Sequence, residues 1–223
     1  MPAKKLPDTD EERVRVLEIL VDLEENAAES VISSKEIHDI KCFLLAYERA
    51  NICVQQAMDD ESTAEQKTFP LFQKAQLYIS HFIQVLYMAI IRQEIKAESL
   101  AYYGLNDSDD FTLPDLSTRE AVTEWGERLI NGEAVRIAQG GSPIYNPTIT
   151  KVKVHYDIFK EAIHSLKIYH QSTHRNQESL EELQDKADNL IWNAWTKFEF
   201  AFGALPPEER NEKYSEYGIQ FHD

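Results

Sequence analysis

The chain has 223 residues, 43% of them hydrophobic, which supplies enough apolar surface for a packed core and excludes wholesale disorder. Its 39 acidic residues outnumber 23 basic ones, for a net charge of −16. A field of that sign repels phosphate backbones and anionic lipid, so nucleic acid and membrane are excluded as expected partners, and a basic partner or plain solubility is favoured.

Met1–Asp10 is charged and carries no apolar leader. Thr9-Asp10-Glu11-Glu12 then has the form of a capping box, and Val14, Leu17, Val21, Ala28 and Val31 predict a first helix to about Ile32. A second capping box, Ser33 to Glu36, opens a cleaner pattern. Ile37, Ile40, Leu44, Tyr47, Asn51, Val54 and Met58 keep 3-4 spacing, the mark of a bundle seam, with Asn51 as a register-setting polar group. Cys42 and Cys53 on that helix sit about 16 Å apart along its axis, too far to pair. Two unpaired cysteines and no leader predict a cytoplasmic, reducing setting.

The polar stretch Asp59–Thr68 reads as a connection to Pro70 and a third helix ending near Tyr103. Phe72, Ala75, Ile79, Phe82, Leu86 and Ala89 give that helix a wide apolar surface, so it is the predicted spine of the fold. Its most apolar run, Leu77–Ile91, is broken by Ser80, His81 and Gln84 and is too short to span a bilayer. Gly104 ends it. The acidic loop Asn106–Leu116 fails as a calcium loop, because Thr112 stands where glycine is required and Thr118 where the closing glutamate is required.

Ser117-Thr118-Arg119-Glu120 is a third capping box, opening a helix with Val122, Trp125, Leu129 and Ile137. Gly140 to Pro147 is a connector, with Asn146 as helix cap, Pro147 at the first helical position and Tyr145 as a packing plug. Arg136, Lys151 and Lys153 nearby raise an anion site as the lesser reading of this loop. Ile149, Val152, Tyr156, Phe159, Ile163, Leu166, His170 and Thr173 form another seam, and Asn176–Glu178 restarts the chain into a last long helix. Trp192, Trp195, Phe198 and Phe202 make its end apolar nearly all round, so it is expected either buried or at a subunit contact. Pro206-Pro207 stops it. A short helix over Glu208–Ser215 and an extended tail with Ile219 and Phe221, expected to dock on the core, complete the chain.

No strand-like alternation of useful length occurs, so the predicted fold is all-α. It is an up-down bundle of about six long helices with a short C-terminal helix and a tail. One domain over 1–223 is expected, with a weak pairwise similarity suggesting halves at 1–116 and 117–223.

Three arrangements bear on chemistry. Glu161-x-x-His164 has the spacing of a di-iron ligand pair, but the seam register places both residues toward solvent. His170 and His174 share a helix face, and His81 on the spine could complete a three-histidine metal site, loosely like the helical bundles of the DinB/YfiT class. A locally bonded seam histidine is the favoured alternative. Nucleophile elbows, phosphate loops and zinc-protease motifs are missing from the sequence. Gly140-Gly141-x-Pro-Ile-x-Asn-Pro147, Ala187-Asp-Asn-Leu-Ile-Trp192 and Leu205-Pro-Pro with Arg210 and Tyr217-Gly-Ile219-x-Phe221 together resemble a set of uncharacterised all-helical bacterial proteins. That resemblance implies an all-α fold and brings no function, ligand or catalytic residue with it. The expected function is therefore non-enzymatic, through protein contacts or self-association at Trp192, Trp195, Phe198, Phe202, Ile219 and Phe221, with no cofactor. A metal-dependent bundle enzyme using His81, His170 and His174 is the alternative.

Overall fold

The computed structural model describes residues 4–105 and 112–221. Among them the helices are α1 (Asp10–Glu25), α2 (Ser34–Ile91), a 3-10 helix (Ala97–Tyr103), α3 (Arg119–Ala138), α4 (Ile149–Phe202) and α5 (Pro207–Glu216). The two-residue strands β1 (Lys4–Lys5) and β2 (Gln220–Phe221) pair antiparallel, with Lys4 opposite Phe221. The chain is an all-α helical bundle. No helix among the described residues is long and apolar enough to cross a membrane. Residues 106–111 of the acidic loop lie outside those described.

The described residues form six helices, divided along the chain differently from the expectation. The second and third expected helices are one, because α2 runs straight through Asp59–Thr68 and contains Pro70. Proline inside a helix removes one backbone donor and disfavours the turn before it. That stretch is nevertheless rich in good helix formers, and Glu61 and Glu65 are tied to side chains on neighbouring helices. The expected restart at Asn176 is also absent. No glycine or proline interrupts residues 148–202, and Asn176 bonds back to the carbonyl of Ser172 at 3.0 Å, so α4 continues. At the other ends helices are shorter than expected: α1 stops at Glu25, and α2 at Ile91.

Helix starts follow the capping chemistry in part. Thr9 and Glu12 form the expected reciprocal box on α1. At α2 the Glu36 backbone donates to Ser33 Oγ at 3.3 Å, while the Ser33 hydroxyl and N–H both donate to the Glu36 carboxylate. Lys197 donates to the same carboxylate. On α3 the cap is Thr118, which accepts from Ala121, so no box with Glu120 forms. On α4 it is Thr148 rather than Asn146, which precedes a cis peptide bond to Pro147 at φ 57°.

The chain divides into two compact units, and they are nested rather than successive. Unit 1 joins residues 1–59 to 171–223, and unit 2 is the continuous stretch 60–170, so the boundary expected at 116 is not the one found. In unit 1 the core gathers Leu17, Leu20, Tyr47, Ala187, Ile191, Trp195 and Phe198. The chain end closes over it: Trp195 Nε1 donates to the Tyr217 carbonyl at 3.2 Å, and the Tyr217 ring lies 4.2 Å from that of Phe198. In unit 2 the predicted spine is borne out, with Ala75, Ile79, Phe82 and Leu86 buried against Tyr103, Val122, Leu129 and Phe159. Gly126 lets α3 approach α4 closely, since a Cβ there would meet Tyr156 Cδ2 at 2.3 Å.

Two outcomes are expected from this packing. Gly126→Ala should lower unfolding free energy by about 1–3 kcal/mol through overpacking, read by urea denaturation. Lys197, then Ser33, holds the Glu36 carboxyl down at about 2 from 4.5. A depressed folded-state value gives stability that is complete above the unfolded value and lost as pH falls through the folded one. Between pH 4.5 and about 2, wild type should therefore lose stability more steeply than Glu36→Gln, measured by thermal melts across that window. Parallel curves would remove Glu36 from the acid response.

Candidate functional site

The buried charges of unit 2 hold structure. Glu133 and Arg136 lie one turn apart on α3 with side chains 0% and 5% exposed, and they meet through two hydrogen bonds of 2.8 and 2.9 Å. Tyr103 donates its hydroxyl hydrogen to Glu133 and accepts from Arg136 Nε at 2.8 Å. Burial first, and then that bond to Glu133, raise the Tyr103 hydroxyl above the ordinary phenol range. Arg136 also donates to the Ser142 carbonyl at 2.7 Å, and the Ile144 N–H donates to Glu133 at 3.2 Å. The Gly140–Pro147 connector is thus pinned from inside by a satisfied network. Arg136 is engaged by that network, which argues against an anion site here. Ile144 and Pro147 are the buried residues of this loop, and Tyr145, the expected plug, is 72% exposed.

The open feature of unit 2 is a groove of about 830 Å³ between the α3 surface and the first part of α4, with α2 at one end. Its surface is mostly apolar, with Ile163 and Leu166 of α4 half-buried in its floor. α3 lines one wall with Glu120, Glu124 and Glu127, spaced at helical 3-4 intervals, together with Thr123 and Arg119. α2 contributes Glu61 and Glu65, and α4 contributes Lys167 and His170. Arg119 pairs with Glu65 and Arg128 with Glu124, while His170 Nδ1 lies 2.7 Å from Glu61. Among the described residues Glu120 and Glu127 take no ion-pair partner. Five carboxylates against two full cations make this an acidic rim around an apolar floor.

The three candidate metal histidines are not brought together. His81 is exposed on α2, His170 is held by Glu61, and His174 Nδ1 faces Glu178 at 3.4 Å. Among the described residues no group of three or more His, Cys, Asp or Glu is placed to hold a metal ion. The seam position expected of His170 is also corrected: its side chain is 73% exposed, because the seam of unit 2 ends with Leu166. Glu161 and His164 both face solvent, as their register implied.

The expected aromatic contact surface is largely interior. Trp195 and Phe198 are sealed in the unit 1 core with Ile219, and Phe202 and Phe221 pack against it half-buried. Of that set only Trp192 is exposed, with the Lys4 ammonium 4.2 Å from its ring centre. Cys42 and Cys53 are exposed and unpaired. The groove escaped the sequence reading because its walls are far apart in the chain. Glu120 entered the sequence reading only through the capping box, and nothing local links Glu65 to Arg119.

No family model matches the chain, and neither a curated protein nor a solved structure does.

Removing one partner of a buried ion pair strands the other. Arg136→Met should therefore cost about 3–5 kcal/mol in urea unfolding. Tyr103→Phe, which removes one bond from the same carboxylate, should cost about 1–2 kcal/mol. A loss below about 0.5 kcal/mol for Arg136→Met would mean that the network does not hold the connector.

Proposed function

We propose that the protein is a non-enzymatic helical module that works by holding another protein chain, and that unit 2 carries the contact. One observation supports this above others. The groove of unit 2 joins a mostly apolar lining to two carboxylates, Glu120 and Glu127, that take no ion-pair partner among the described residues. The larger hollow of unit 1 beside Arg13, Glu18 and Glu48 is lined as much by polar as by apolar surface. By contrast, the buried ionisable side chains Glu24, Glu133 and Arg136 all bond to neighbours within their own unit. A surface that leaves apolar side chains wet beside unpaired carboxylates is suited to a partner that covers the first and neutralises the second. Exposed apolar residues elsewhere, such as Val154, Ile158 and Ile168 on the unit 2 part of α4, fit the same role. The separate engagement of His170 and His174 gives the metal-enzyme alternative no support of this kind.

The test is a photo-crosslinking amino acid placed at Thr123, inside the groove, in cells that make the protein. Adducts heavier than the 25.8 kDa chain should form there and be scarce when the same probe replaces Gln177, an exposed α4 residue of unit 1. No adduct at position 123, or equal yields at both positions, would overturn the proposal.

A further inference from the structure

We infer that the groove of unit 2 takes a basic amphipathic helix, about two turns long, from a partner protein. This rests on the reading of unit 2 as a protein-binding module and adds the chemistry of what it binds.

Length comes from the walls. Arg119 to Glu127 on α3 is a rise of about eight residue steps, so the wall runs roughly 12 Å. Two turns of helix match that length and present apolar side chains at i, i+3 or i+4, and i+7. The floor offers the half-buried side chains Ile163 and Leu166 to receive them. Charge fixes the sign. Glu120 and Glu127 stand about two turns apart on the α3 wall without ion-pair partners among the described residues, and Glu124 between them shares its charge with Arg128. A ligand helix with lysine or arginine flanking its apolar stripe places cations against these carboxylates. Lys167 on the opposite wall repels a cation there, so the basic flank belongs on the α3 side and a neutral or acidic flank on the α4 side. A second copy of this chain is a poor occupant, since two molecules of charge −16 repel each other.

Fluorescence anisotropy with the purified full chain and three labelled 14-residue peptides tests the assignment. One peptide is amphipathic with leucines at i, i+3, i+4 and i+7 and lysines beside them. The second has the same composition in an order that destroys the apolar face. The third replaces lysine by glutamate. The first should bind at least tenfold more tightly than either of the others. The double variant Glu120→Gln/Glu127→Gln, both residues exposed on α3, should weaken it about 3- to 10-fold, as loss of two surface charge contacts implies. Leu166→Asp should weaken it tenfold or more, with circular dichroism confirming the helical fold of each variant. Equal binding of the first and second peptides would reduce the effect to attraction by net charge and overturn the inference. So would binding that neither groove variant alters. Sedimentation of wild type as a dimer that Leu166→Asp splits would place a second copy in the groove and overturn it too. Crosslinks from position 123 to a cellular protein, without preference for the first peptide, would remove the basic helix while leaving the protein-binding role standing.

Discussion

A carboxylate sealed from water must find its hydrogen bonds inside the protein, and both units are organised around one that does. In unit 1, Glu24 near the end of α1 accepts from the N–H groups of Val31 and Ile32, from the Ser30 hydroxyl and from the Tyr217 hydroxyl at 2.9 Å. In unit 2, Glu133 accepts from the Ile144 N–H, from Arg136 and from the Tyr103 hydroxyl. The logic is shared. Each glutamate sits on a helix, takes backbone donors from a connector without helical structure, and receives a tyrosine hydroxyl from a distant segment. Burial, reinforced by the glutamate, keeps both phenols protonated well past neutrality. The connectors are thus held largely by these bonds, with Ile32 and Ile144 buried in the core and Val31 packed half-buried against it.

Much of the fold was legible, and for identifiable reasons. Ala75, Ile79, Phe82 and Leu86 follow a helical period that only burial explains, and all are buried. The Thr9 and Ser33 capping boxes are local, so four residues suffice to read them. What could not be read was mostly the weight of tertiary contacts against local rules. Pro70 looked like a helix start because propensity disfavours proline in a helix interior. Packing of Ala75 and Ile79 beyond it, with the ties of Glu61 and Glu65 before it, outweighs that cost. Asn176 looked like a break for the same reason.

The candidate site was less legible than the fold. Its carboxylates come from α2 and α3 and its floor from α4, more than a hundred residues apart at the extremes. Sequence periodicity reports which face of one helix is buried, and it is silent on which exposed faces meet. Aromatic content misled in the other direction. Trp195 and Phe198 were conspicuous enough to suggest a contact surface, yet their size makes them the natural filling of the unit 1 core. The groove is built from commoner side chains, glutamate, isoleucine and leucine, whose placement rather than type matters.

The nesting of the two units has a consequence for how the chain is made. Unit 2 is a single stretch, so every residue it needs has been joined to the chain by position 170. Unit 1 holds its first 59 residues in waiting until Gln171 and the rest of α4 follow, and its Trp195 to Tyr217 bond closes only near the end. During synthesis the apolar faces of α1 and early α2, including Leu17, Leu20 and Tyr47, lack the α4 side of their core. Contacts that span so much sequence are slow to form, and exposed apolar surface in the interval favours aggregation. A strongly acidic chain has a defence against that, because nascent copies repel one another. The net charge thus protects the segment that folds last.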